Sequence, residues 1–222
     1  MWDSGWDNIF KENEWGKYPP EEVVRFISRS FGKTPERRSV AILEVGCGPG
    51  ANLWYLAREG YKAFGLDGSE VAVKRARERL AKERLEADVL VGDIMTLPYP
   101  DGQFDCVLDI ECLYANSMKD SKKIMNEIKR VLKPGGLFLS KTFMVGTYGD
   151  GKGKLLAGEP RTYTELSEGA LHKGYGIVRF TAEEDIKELY SELEIIAVDH
   201  LIRSDKDRKF EVKEWLITCK KA

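Results

Sequence analysis

The chain has 222 residues, with 35 Lys+Arg against 37 Asp+Glu and a formal charge of −2. That length suits one full-sized domain with a small lid, and 42% hydrophobic against 32% charged residues is a globular composition that argues against disorder. The near-even charge leaves no field to hold a phosphate backbone, and no apolar run reaches the ~20 residues of a membrane span, so neither nucleic-acid nor membrane partners are expected.

The opening Met1-Trp2-Asp3-Ser4-Gly5 is acidic where a signal peptide is basic and then apolar. Four cysteines, at 47, 106, 112 and 219, show neither C-x-x-C spacing nor the density of a disulfide scaffold. With only two histidines beside them, they offer little to a structural zinc, and no metal site is expected. Reduced thiols and a cytoplasmic setting are the corresponding expectations.

Up to about Lys33 the chain stands outside any strand–helix rhythm, apart from a helix beginning near Pro19-Pro20. Ser39 to Val45 is a short apolar run that stops at glycines, the pattern of a strand buried on both faces. Asn52 to Glu59 reads as a helix closed by Gly60, and Tyr61 to Leu66 as a second strand. From Ser69, Ala72, Ala76 and Leu80 recur at four-residue steps among charged residues, which predicts an amphipathic helix. Ala87 to Val91 and Phe104 to Asp109 are further strands. Ile124, Ile128, Val131 and Leu132 line a helix that Pro134-Gly135-Gly136 terminates, before a strand at Leu137 to Phe143. Val145 to Arg179 is a Gly-rich insertion. Thr181-Ala182-Glu183-Glu184 reads as a capping box that opens a helix, and Glu194 to Ile202 and Phe210 to Cys219 are strands joined by a charged turn.

This alternation predicts an α/β fold: an open, mostly parallel seven-stranded sheet with helices on both faces and right-handed crossovers. The last two strands have too short a link for a crossover and close as a C-terminal antiparallel hairpin. Residues 1–222 read as a single domain, with a lid segment at 1–36 and a substrate-side insertion at 145–179.

In open α/β sheets, ligands bind beyond the carboxyl ends of the strands. Here those ends carry Glu44-Val45-Gly46-Cys47-Gly48-Pro49-Gly50, Asp67, Asp93 and Asp109. Glycines let the backbone approach a ligand closely, and Asp67, at a strand end 21 residues past Gly46, is placed to accept from a ribose diol. Taken alone, Gly46-x-Gly48-x-x-Ala51 also fits a dinucleotide fingerprint, and such glycines also serve as plain turn formers.

Four signatures in order sharpen the reading: EVGCGPG at 44–50, GLDGS at 65–69, GDIMTLPYPDGQFD at 92–105 and RVLKPGGLF at 130–138. Together they resemble the class I (Rossmann-like) S-adenosylmethionine-dependent methyltransferases, closely over Ser39 to Leu139 and loosely beyond. The resemblance implies S-adenosyl-L-methionine as cofactor and S-adenosyl-L-homocysteine as its product. It implies Gly46 and Gly48 beneath the methionine moiety, with Cys47 in the same turn and Glu44 toward its ammonium. It implies Asp67 on the ribose hydroxyls beside Gly68, Asp93 and the Ile94 amide on the adenine, and main-chain contacts at Asp109 to the ammonium. Trp15 and Tyr18 would close over the cofactor from the N-terminal segment. A nicotinamide cofactor is disfavoured, because the length a second mononucleotide half would need is occupied by the insertion and the hairpin.

Methyl transfer from a sulfonium is an in-line displacement that needs positioning, with a general base only where the nucleophile must lose a proton. His172 in the insertion and Glu111 beyond the fourth strand are the base candidates. Tyr114, Tyr148, Arg161 and Tyr175 are the candidates for holding the acceptor. His200 and Trp215 read as structural. The insertion carries five cations against four anions, no basic patch, which favours a small-molecule acceptor, an oxygen nucleophile first, over RNA. The other readings are a catalytically silent cofactor-binding regulator or scaffold and a protein or RNA methyltransferase.

Overall fold

A computed structural model of the chain describes residues 5–169, 171 and 176–222. In chain order, α1 (Gly5–Glu12) and α2 (Glu21–Phe31) precede β1 (Ala41–Val45), α3 (Ala51–Arg58), β2 (Lys62–Asp67), α4 (Glu70–Lys82) and β3 (Ala87–Val91). Then come β4 (Phe104–Ile110), α5 (Met118–Val131), β5 (Leu132–Phe143), three short strands β6 (Lys154–Leu155), β7 (Thr162–Thr164) and β8 (Val178–Arg179), α6 (Glu183–Leu189), β9 (Glu194–Asp205) and β10 (Phe210–Lys220). The main sheet has seven strands in the order β3-β2-β1-β4-β5-β10-β9, with β10 antiparallel to both neighbours and the other pairs parallel.

Period-two alternation along the strands sends side chains to two separate cores. Leu43, Val45, Val107 and Phe138 meet Ile124, Ile128 and Val131 of α5 and Ile186 and Leu189 of α6. Ile42, Cys106, Leu108 and Leu139 meet Val23 and Ile27 of α2, Leu53 and Leu56 of α3, and Val73, Ala76 and Leu80 of α4. Fully burying one such aliphatic side chain is worth about 1.5–3 kcal/mol, so the alternation itself fixes which face each helix covers. Among the described residues, no helix is long and apolar enough to cross a membrane.

The structure departs from the sequence reading at several points. Helix α5 stops at Val131, and the chain is already extended at Leu132 (φ −69°, ψ 139°), so β5 runs through Pro134-Gly135-Gly136. The cause is local: Pro134 keeps Lys133 out of the helical region and has no amide to donate to Arg130, so a helix could not continue past Leu132. Helix α6 is capped at Ala182, not Thr181: Asp185 accepts from the Ala182 amide (2.8 Å), while the Thr181 carbonyl accepts from Trp215 Nε1 (2.9 Å). Helix α1 was not anticipated, and the insertion is not a bare loop. Strands β6, β7 and β8 form a three-stranded antiparallel sheet, and Leu166, Val178 and Phe180 are buried with Tyr114, Phe143 and Val212.

Candidate active site

The carboxyl ends of β1 to β5 open onto a cavity of about 350 Å³. Glu44, Gly46, Cys47, Gly48, Asp67, Gly68, Asp93 and Ile94 line it, as do Trp15, Tyr18, Glu111 and Tyr114. The sequence therefore brought these twelve positions to one place.

The turn after β1 is built from left-handed glycines, with φ of 66° at Gly46 and 50° at Gly48. Beneath it, both oxygens of the buried Asp67 are engaged: Oδ2 accepts from the Gly48 amide and Oδ1 from the Ser69 amide, each at 2.8 Å. Each carboxylate oxygen offers two lone pairs, so each retains one acceptor site for a hydroxyl. Burial holds the Asp67 carboxyl above the usual carboxylate range, against the lowering effect of those two amides.

Glu44 lies beside Asn52 of α3, whose Nδ2 donates to Glu44 Oε1 at 2.5 Å. Glu44 Oε2 and Asn52 Oδ1 are buried acceptors with no hydrogen-bond partner among the described residues. Two orphaned buried acceptors side by side fit an incoming ammonium, since leaving each unmade costs about 1–3 kcal/mol. Without it, burial pushes Glu44 up to about 8, opposed by the Asn52 hydrogen bond. These residues, with the ribose-ready Asp67, fit S-adenosylmethionine.

An aromatic lid closes the cavity from the N-terminal side. Phe10 of α1 lies 3.7 Å from where a Gly48 Cβ would stand and packs edge-on against Trp15 at 5.1 Å between ring centroids. The segment is tied down by Arg75, which donates to the Asn13 carbonyl (3.1 Å), and by Arg79, which donates to the Lys17 carbonyl. Ser69 also donates to Asp7 of α1. Trp6 and Phe10 were missed in the sequence because α1 was missed.

Other expectations fall elsewhere. Asp109 is fully buried and does not line the cavity. Its Oδ1 accepts from the Cys112 and Leu113 amides at 3.0 Å each, and its Oδ2 from Ser140 at 2.5 Å, so it pins the loop after β4. Burial pushes its carboxyl up to about 6. Arg161 lies outside the cavity because its guanidinium grips Asp185 at the start of α6 (Nε to Oδ2, 3.0 Å). Tyr148 is also outside, stacked on Phe210 with centroids 3.8 Å apart. His172 and Tyr175 lie outside the described residues. His200 sits edge-on to the buried Trp215, and neither lines the cavity.

Cys112 and Asn116 join the lining from the loop after β4, and Asn52 and Lys141 join it unannounced. Lys141, on β5, is 7% exposed and bridges Glu111 (2.8 Å) and Glu214 (3.1 Å). A lysine near the carboxyl end of a mostly buried strand was the signal available for it. Glu111 itself holds a left-handed φ of 59°, which sparsely populated geometry costs a non-glycine residue on the order of 1–3 kcal/mol and is typical of functional sites.

Residues 42–136 match a family model described as a methyltransferase domain. Over 153 residues the chain is 32% identical to ajmaline N-methyltransferase of Rauvolfia serpentina, covering 60% of this chain and 52% of that one. It is 33% identical over 128 residues to 27-O-demethylrifamycin SV methyltransferase of Amycolatopsis mediterranei, covering 56% and 46%. A SAM-dependent methyltransferase structure from Methanosarcina mazei superposes with a TM-score of 0.68 at 21% identity, over 82% of this chain and 92% of that one. Residues 42–136 are thus similar to a methyltransferase domain, and the superposed structure shares the fold of this seven-stranded sheet. The chain spans about half the length of the curated relatives named here.

The raised carboxyls carry a consequence for stability. A carboxyl whose folded-state pKa exceeds its unfolded value favours the fold fully at low pH, and that contribution is lost as pH rises through the folded pKa. Glu44, Asp67 and Asp109 all have this sign. The ligand-free protein is expected to lose Tm between pH 5 and 8, and Glu44→Gln to remove the upper part of that fall. Calorimetric Tm across the range checks this; a Tm flat or rising over it sinks the assignment.

Proposed function

We propose that the chain transfers a methyl group from S-adenosylmethionine to a small-molecule acceptor whose nucleophile carries a proton. The observation that supports this most directly is the pair of orphaned acceptors at Glu44 and Asn52, set across the same cavity from Asp67. Glu44 and Asn52 take the methionine ammonium, Asp67 the ribose hydroxyls, and Asp93 with the Ile94 amide the adenine edge. Bound there, the cofactor supplies an activated methyl on a sulfonium.

This chain's own task is then orientation and proton handling. Phe10 and Trp15 cover the cavity and exclude water. Glu111 accepts the proton that a hydroxyl or amine must release, in place of an ordinary carboxylate acceptor, which needs no base. The related enzymes named above include one N- and one O-methyltransferase, which supports a small-molecule acceptor of either kind.

The test is binding first, then transfer. S-adenosylmethionine at about 100 times its Kd is expected to stabilise the protein by about 2.7 kcal/mol. Isotope-labelled methyl from the cofactor is then followed into hydroxyl and amine metabolites by product mass. No stabilisation by the cofactor removes the reading; stabilisation without transfer to any acceptor favours a silent cofactor-binding regulator.

A further inference from the structure

We propose that the acceptor half of the cavity recognises a small molecule through a positively charged amino group. Glu111 is the residue that holds this ammonium and the same carboxylate that takes the proton the amine releases before transfer, and Lys141 and Glu214 position Glu111. The inference rests on the methyltransferase reading and names the acceptor class for the same site.

Charge is the first observation. The charged side chains lining the cavity, among the described residues, are Glu44, Asp67, Asp93, Glu111 and Lys141. The first three face the cofactor in the reading above, so Glu111 and Lys141 remain for the acceptor. Lys141 is not available to an anion, because its ammonium already bridges Glu111 Oε1 at 2.8 Å and Glu214 Oε1 at 3.1 Å. Two carboxylates around one ammonium leave a surplus negative charge once Glu214 is ionised, and Glu214 is only 2% exposed. An anionic acceptor would bring its charge against that surplus in a partly dry cavity, where like charges repel strongly. A cation cancels it.

The second observation is the wall. Glu111 is 36% exposed at its side chain and faces the cavity with Trp6, Phe10, Trp15 and Tyr114 also in the lining. Aromatic faces attract cations through their quadrupoles, so a cavity lined by both rings and a carboxylate suits an amine. A neutral alcohol gains nothing from either feature beyond one hydrogen bond.

The third observation is that the cluster is rigidly built. The Glu111 amide donates to the Lys141 carbonyl at 2.9 Å, and Lys141 lies on β5 between β4 and β10. The charged groups facing Glu214 are Glu111 from the end of β4 and Lys141 from β5, while its partner on β9 is the uncharged Leu201. Burial, and then the facing Glu111 carboxylate, push Glu214 up to about 7. Glu214 therefore gains its negative charge as pH rises through neutrality, and cation binding tightens over that interval.

The experiment uses the full chain loaded with S-adenosylhomocysteine and three isosteric probes: 2-phenylethylamine, 2-phenylethanol and phenylacetate. Binding is read by calorimetry, with no turnover required. The amine is expected to bind about tenfold or more tightly than the other two. Its affinity should rise between pH 6 and 8. Glu111→Gln should weaken amine binding by about tenfold while leaving S-adenosylhomocysteine bound, and Glu214→Gln should flatten the pH dependence, which a merely structural glutamate would not do. Phenylacetate or phenylethanol binding as well as the amine, or amine affinity indifferent to pH and to Glu111→Gln, overturns the inference. Failure of S-adenosylhomocysteine itself to bind overturns the methyltransferase reading instead, so the two failures are separable.

Discussion

Replacing Asp67 by alanine is expected to weaken S-adenosylmethionine binding at least about 100-fold, the largest effect of any single polar change in the cavity. Hydrogen bonds to a charged acceptor are each worth about 1.5–3 kcal/mol, and in the proposed complex one carboxylate makes two of them to the ribose. The same carboxylate ties the Gly48 and Ser69 amides together, and so joins the glycine turn to the start of α4. The substitution should therefore also lower Tm in the absence of ligand, by several degrees, at about 2–4 °C per kcal/mol for a chain of this size. Asp67→Asn separates the roles. Its remaining oxygen keeps one amide acceptor, so most of the Tm should return while affinity stays low. Calorimetric Kd and Tm on both variants measure this, and an alanine variant that binds as tightly as the wild type refutes the assignment.

The second large effect lies in backbone geometry. A Cβ at Gly46 would stand 2.3 Å from Cys112 Sγ and 2.6 Å from its Cβ, at a residue whose φ of 66° already excludes most side chains. Left-handed backbone costs alanine about 1–2 kcal/mol, and overpacking a tight contact typically adds about 1–3 kcal/mol. Gly46→Ala is expected to lower folding stability by about 2–5 kcal/mol and to abolish cofactor binding where the fold survives. Pairing it with Cys112→Gly removes the contact and keeps the backbone cost, so part of the loss should be recovered. A double variant no more stable than Gly46→Ala alone would place the whole penalty in the backbone.

How far the site could be read in advance followed the range of the physics involved. Glu44, Gly46, Gly48, Asp67 and Asp93 were legible because each sits at the end of a strand whose apolar run marks it, and strand ends of a parallel sheet converge on one edge. Asp109 obeyed the same rule and still turned inward. The amides of Cys112 and Leu113 and the Ser140 hydroxyl, all acquired through folding, outbid the cavity for its oxygens. Arg161 and Tyr148 carried suitable chemistry for an acceptor, but Asp185 and Phe210 meet them first. Helix α1 escaped notice because its eight residues, Gly5–Glu12, are too few for periodicity to speak clearly, and tertiary contacts with α4 hold it.

What the sequence determined by itself is the frame: hydrophobic alternation set the seven strands and the two cores, and local backbone needs set the glycine turn and its acidic neighbours. Those are short-range effects, fixed by residue type and spacing. Only the tertiary structure decided which charges face one another across the cavity, for electrostatic partnership depends on distance in space. Lys141 and Glu214 are separated by 73 residues in the chain yet lie 3.1 Å apart, on adjacent strands. Near-even overall charge, read from the sequence, gave no hint of the acidic cluster that this juxtaposition concentrates beside the cavity.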